Sequence, residues 1–197
     1  MKLLVILFFV LMTEKIFSYN TNVMYKADCF LSLNKPEKAL DLYMELLKTS
    51  PFEAIVLNRV GFALFSLNQF KESIRYFTDA IFYDPFNAAY WNNRGAAYSK
   101  LKQYDLAETN FSRALKLNND NPRYLYNMSV VCFRKKRFKE SLSYIMQAYK
   151  IDSKYVKQRF DRDKVLEEIK KMRKENPSDK DLIEIEKLLT ERHKVLY

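Results

Sequence analysis

The sequence predicts an all-α protein, and three observations carry that prediction. Its 197 residues hold only two glycines and five prolines, and neither Asn-Gly nor Asp-Gly, the dipeptides that tight β-hairpins want, occurs. Apolar residues recur at helical spacing, as in Leu57, Val60, Leu64 and Leu67, or Ile74, Phe77 and Ile81. The pattern then repeats every 34 residues without insertion, in rows 20–53, 54–87, 88–121 and 122–155. An apolar fraction of 48% argues against a disordered chain.

Taken in order, residues 1–18 come first. One early Lys precedes ten consecutive apolar residues, Leu3 to Met12, and Ser18 offers a small residue for cleavage. This is the pattern of a secretory signal peptide, and ten apolar residues are too few to span a bilayer. The expectation is an exported protein, periplasmic or secreted. The alternative is a cytoplasmic or membrane-tethered protein that keeps this segment.

Each of the four rows holds two helical patterns separated by a short polar turn, such as Asn68-Gln69. The rows close at polar or proline-containing joints: Ser50-Pro51, Asp84-Pro85, Asn118 to Pro122, and Asp152-Ser153. Proline there stops the preceding helix. Small residues recur in phase. The eighth position is Ala27, Gly61, Gly95, Ser129, and the twentieth is Ala39, Ser73, Ala107, Ser141. Bulky residues recur elsewhere: Val23, Leu57, Trp91, Leu125 at the fourth position, and Tyr43, Phe77, Phe111, Ile145 at the twenty-fourth. A glycine inside a helix costs about 1 kcal/mol relative to alanine. Both glycines of the chain occupy position eight, where close approach of two helices explains them. Position eight is expected to face position twenty across each hairpin.

These residues resemble the tetratricopeptide repeat, W-x2-L-G-x2-Y followed by A-x3-F and a closing Pro over 34 residues. Row three supplies Trp91, Gly95, Tyr98, Ala107 and Phe111; row two supplies Leu57, Val60, Gly61, Ala80 and Pro85. Arg94 stands where Leu is usual, and Pro36 where an aromatic is usual. The resemblance implies a right-handed α-α superhelix, a solenoid of helix-turn-helix hairpins, whose first helices line a concave groove that receives a peptide or helix.

Residues 156–197 leave the repeat. Phe160, Val165, Ile169 and Met172 fall on one side of a charged stretch, as a capping helix requires. Ser178 and Asp181 suggest a capping box opening a last helix with Leu182, Ile185 and Leu189 in phase.

No catalytic constellation is legible, and the expected protein is not an enzyme. The one histidine, His193, sits beside Arg192 and Lys194 near the C-terminus, and the two cysteines, Cys29 and Cys132, are too few for a zinc site or a disulfide scaffold. Neither a metal nor a cofactor is expected.

On the groove implied by the resemblance, the candidate partner-binding residues are Asn58, Arg59, Phe62, Asn92, Asn93, Tyr126, Asn127, Phe133 and Arg134. Asparagine donates and accepts, so a row of them can pair with a peptide backbone. Phe62, Tyr126 and Phe133 would supply apolar pockets. The Lys/Asn/Arg clamp by which one family subclass holds acidic chaperone tails is not matched. The net charge is +10, and eight of those ten charges arise from Pro122 onward, where 20 Lys/Arg meet 12 Asp/Glu. Arg134, Lys135, Lys136, Arg137 and Lys139, with Lys170, Lys171, Arg173 and Lys174, form a candidate basic patch for an acidic protein or an anionic membrane surface. Nucleic acid is a weaker expectation, because the interleaved Phe133 and Phe138 are explained by the repeat. The first row lacks an obvious cap, which leaves self-association as a further expectation.

Overall fold

The structure, a computed structural model, describes residues 20–49 and 53–190. The expected leader at 1–18, the Ser50-Pro51 joint and His193 lie outside the described residues. Among those described, every regular element is a helix. Helix α1 covers 20–32. It is followed by α2 (Pro36–Thr49), α3 (Ala54–Ser66), α4 (Phe70–Tyr83), α5 (Ala88–Lys100), α6 (Tyr104–Leu117), α7 (Pro122–Arg134) and α8 (Phe138–Ile151). Then come the short α9 (Ser153–Lys157), α10 (Arg162–Glu175) and α11 (Lys180–Thr190). The chain forms two compact units, Met1–Ala97 and Tyr98–Tyr197.

The period of 34 appears in the backbone at a position the side-chain pattern did not expose. Four non-glycine residues have positive φ: Asn34 (55°), Asn68 (62°), Lys102 (60°) and Lys136 (61°). Each sits in the turn inside a hairpin and closes the helix before it in the same way. The N–H of the next residue donates back to a carbonyl five residues earlier: Lys35 to Phe30 (2.9 Å), Gln69 to Leu64 (2.9 Å), Gln103 to Tyr98 (3.0 Å), Arg137 to Cys132 (2.8 Å). The left-handed residue itself donates to the carbonyl three back, as Asn68 does to Phe65 (3.0 Å). This is the Schellman closure, which satisfies carbonyls the helix end would otherwise leave bare. Asn tolerates the left-handed region; Lys does so at a cost.

In the first unit, Ala27, Ala39, Tyr43, Leu46, Val56, Val60, Ala63 and Leu64 form one buried cluster joining α1, α2 and α3. Pro36 opens α2 and is buried, its fixed φ suited to the first helical position. Gly61 is buried on α3. Its expected partner at position twenty, Ser73, is buried too, but the group pressed against Gly61 is Phe77. A Cβ at Gly61 would lie 2.7 Å from both Cδ1 and Cε1 of that ring. Helical side chains lean toward the N-terminus, so Phe77, one turn beyond Ser73, reaches back over its level. Ser73 instead donates to the Phe70 carbonyl (2.9 Å), which satisfies its buried hydroxyl. Arg94, where Leu is usual, lies over the Trp91 ring at 4.9 Å and donates to Thr78 Oγ1 (3.1 Å). The Trp91 indole donates to the Pro85 carbonyl (2.8 Å), fixing the entry to α5.

In the second unit, α7 packs on α6 and α8, and α10 packs on α11. Asn121 caps α7 by accepting from the Arg123 N–H (3.0 Å), and Asp161 caps α10 by accepting from the Lys164 N–H (3.0 Å). The cap of α11 is not Ser178. Asp179 accepts from the N–H groups of Asp181 (3.0 Å) and Leu182 (3.2 Å), and a carboxylate also complements the positive end of the helix. The last helix packs back on its neighbours: Leu182, Ile185 and Leu189 are buried with Ile169 and Phe138 in a single cluster. Cys29 and Cys132 are both free thiols.

Candidate functional site

On the first unit, the first helices α1, α3 and α5 bring a chain of polar side chains together. Asp28 on α1 pairs with Arg59 on α3, Nε to Oδ1 at 3.2 Å, with both side chains about a third exposed. The same carboxylate accepts from the Tyr43 hydroxyl of α2. Burial first, and then that hydrogen bond to Asp28, push the Tyr43 phenol well above its usual range, so it stays a donor at every working pH. Phe62, one turn beyond Asn58, stacks on Phe65 with ring centroids 6.5 Å apart, and Phe65 meets Phe70 edge-on at 5.3 Å.

The asparagines have a different task from the one the sequence suggested. Asn58, Asn92 and Asn93 are 7%, 2% and 9% exposed. Asn93 Nδ2 donates to Asn58 Oδ1 (2.9 Å) across the two helices, and Asn92 Nδ2 donates to Asn93 Oδ1 (3.4 Å). The amides bond one another inside the first unit rather than standing ready for a peptide backbone. A buried amide that bonds its counterpart on the next helix fixes the register of the pair. Only the face is legible from sequence; which way each amide is used depends on how deeply the helices close over it.

On the second unit, Tyr126, Phe133 and Arg134 of α7 meet the C-terminal helices. The Tyr126 hydroxyl donates to the Arg159 carbonyl (2.8 Å), and its ring lies edge-on to Tyr155 at 6.1 Å. Phe133 lies edge-on to Phe138 at 5.5 Å, and Arg134 pairs with Glu168 of α10 at 2.9 Å. Asn127 is half-buried on the same helix. Tyr126, Phe133, Arg134 and Glu168, with Val130, Leu142, Ile145, Phe160 and Val165, line a partly open cavity of about 330 Å³ walled by α7, α8, α10 and α11.

The basic run is largely engaged. Lys135 binds Asp105 (2.6 Å) and Glu108 (2.7 Å) of α6, and Arg137 binds Glu108 (2.7 Å) and Glu140 (3.3 Å). Lys139 binds Asp181 (2.9 Å) and Glu184 (3.3 Å), and Arg173 binds Glu186 (2.5 Å). Burial alone would raise the Glu108 carboxyl, but hydrogen bonds from Lys135 and Arg137 outweigh it and hold it below the usual range. The hydrogen bond to Asp105 raises the Lys135 ammonium. Lys136, Lys170, Lys171 and Lys174 are exposed. The run thus ties α6, α7, α8 and α11 together, a use visible only once the acids of other rows are in place. Burial raises the Cys132 thiol, so it is a poor nucleophile. Among the described residues, no three His, Cys, Asp or Glu are placed to hold a metal, and no helix is long and apolar enough to cross a membrane.

Two family models, both described as tetratricopeptide repeat, match residues 88–121 and 122–155. No curated protein matches the sequence. Among solved structures, MamA 41-end from Desulfovibrio magneticus RS-1 is similar with a TM-score of 0.67 at 17% identity, over 87% of this chain and 93% of that one. The Sgt2 TPR domain from Aspergillus fumigatus is similar with a TM-score of 0.58 at 15% identity, over 61% of this chain and 82% of that one. The second TPR domain of human RPAP3, solved in complex with an HSP70 peptide, is similar with a TM-score of 0.53 at 20% identity, over 55% of this chain and 91% of that one. These likenesses establish the fold: an all-α solenoid built of helical hairpins.

Proposed function

We propose that this chain, a member of the tetratricopeptide repeat family, is a non-enzymatic scaffold gripping a partner peptide or helix on the face shared by α1 and α3. The observation that carries this reading is the partly exposed Asp28–Arg59 pair on the helix face that also carries the stacked Phe62 and Phe65. An arginine anchored on one side by a carboxylate still presents donors to a partner, and an adjacent aromatic supplies apolar area; arginine and aromatic anchors dominate interface energetics. The human RPAP3 domain in complex with a peptide supports a peptide as the class of partner. In this reading Asn58, Asn92 and Asn93 hold the helices in register behind the contact surface.

The apolar run Leu3 to Met12 supports export, with the scaffold acting in a periplasm or outside the cell. A native N-terminus near Tyr19, measured by mass spectrometry, agrees with export; an intact Met1 favours a cytoplasmic or membrane-tethered adaptor. Exposed Lys136, Lys170, Lys171 and Lys174 would speed encounter with an acidic partner or an anionic surface. A nucleic-acid role draws less support, because Arg134, Lys135, Arg137, Lys139 and Arg173 spend their charge on acids of the same chain.

The test is affinity purification from native cells with the unaltered chain and with an Arg59→Glu, Phe62→Ala double variant shown by circular dichroism to fold. The double variant should lose the specific partners. Recovery of the same partners in the same yield refutes the first-helix face.

A further inference from the structure

The cavity of the second unit has an origin in the repeat period. A fifth row would begin at residue 156, yet α10 begins at Arg162, six residues later, because α9 and the turn after it intervene. The opening stretch of a fifth first-helix is thus replaced by α9 and a turn, and a cleft lies between α10 and the faces of α7 and α8. The cleft is partly open to solvent, and its volume of about 330 Å³ lies in the range of small-ligand sites. Its wall is mostly apolar, with Val130, Phe133, Leu142, Ile145 and Val165, and Ser129 and Ser141 add hydroxyls.

Its rim is charged unevenly. The two acids at the rim are committed, Glu168 to Arg134 at 2.9 Å and Asp161 to the cap of α10. The two other cations have no acid partner among the described residues. Arg159 lies over the Tyr155 ring at 3.9 Å, and Lys164 is exposed at the start of α10.

We propose that this cavity binds a free medium-chain carboxylate, its hydrocarbon chain between α7, α8 and α10 and its carboxylate against Lys164 and Arg159. An apolar cavity of about 150 Å³ takes one benzene ring, so this one holds roughly twelve carbons. A single Leu or Phe from a protein partner would leave much of the volume empty, at a cost that grows with the residual void. The site involves neither the Asp28–Arg59 pair nor a partner protein.

Calorimetric titration of the full chain with straight-chain carboxylates from hexanoate to tetradecanoate tests this, each kept below its micelle concentration. One saturable site is expected, with affinity rising roughly fourfold per methylene and levelling off near twelve carbons. Lys164→Gln should weaken decanoate several-fold with the chain-length dependence unchanged. Val130→Phe should fill the cavity and abolish binding while circular dichroism stays that of the unaltered chain. Decylamine, with the same tail and the opposite charge, should bind far more weakly. Absence of a saturable decanoate site, or binding indifferent to both substitutions, overturns the proposal. So does an acidic peptide, selected from a phage library on this chain, whose binding Val130→Phe abolishes while decanoate fails to bind. That result would assign the cavity to a partner's side chain.

Discussion

Replacing Gly61 by alanine sets two known effects against each other. In an open helix the change stabilises by about 1 kcal/mol, because alanine restricts the unfolded chain and favours the helix. Here the new methyl would stand 2.7 Å from two carbons of the Phe77 ring. Carbon atoms in good contact lie about 3.5–4.0 Å apart, so the ring must withdraw by roughly 1 Å. Phe77 is 0% exposed and has no solvent to move into. Overpacking of this kind costs about 1–3 kcal/mol, which cancels or exceeds the propensity gain. The expected net change is from about zero to 2 kcal/mol of lost stability, read from urea unfolding followed by helical circular dichroism. Phe77→Ala, itself costing about 3–5 kcal/mol, supplies the control. With the ring gone, Gly61→Ala should stabilise by its full ~1 kcal/mol, so the two changes couple strongly. If Gly61→Ala stabilises the unaltered chain by that full amount, no ring confines position 61 and the packing argument fails.

Three further outcomes follow from the geometry. Lys136→Gly removes a side chain from a left-handed residue at φ 61° and should stabilise by about 1 kcal/mol, raising the urea midpoint, whereas the same change at half-turn neighbour Lys135 should destabilise by breaking its ion pairs. Glu108 is held below the usual carboxylate range, so its contribution is complete above about pH 4.3, the unfolded value, and disappears as pH falls through the folded one; Glu108→Gln should flatten that acid limb of the stability profile. Asn93→Ala removes the donor that Asn58 accepts from in a buried site and should cost about 1–3 kcal/mol, measured by chemical denaturation.

The helices were legible because their apolar faces and their proline joints both come from local chemistry. Position eight was legible as a place for small residues, since a glycine inside a helix needs a reason. Its neighbour was not, because which ring reaches Gly61 depends on side-chain lean rather than on spacing along the chain. The left-handed turn residues were hidden for a similar reason: Asn34 and Asn68 hint at the conformation, but Lys102 and Lys136 carry no such mark. Asn58 and Asn93 announce a polar face in sequence, and only the packing of α3 against α5 turns their amides toward each other. The basic run looked like a surface because its acids, Asp105, Glu108 and Asp181, come from other hairpins. The cavity had no sequence signature; only the structure shows α9 and a turn standing where a fifth row would open its first helix.

The scaffold reading is tested most directly by a photoreactive benzoylphenylalanine introduced at Phe62 on α3 and, separately, at exposed Arg75 on α4. On irradiation in native cells, position 62 should yield a discrete covalent adduct with a protein partner and position 75 should yield none. Equal adducts from both positions, or an adduct from position 75 alone, would contradict a partner held on the first helices.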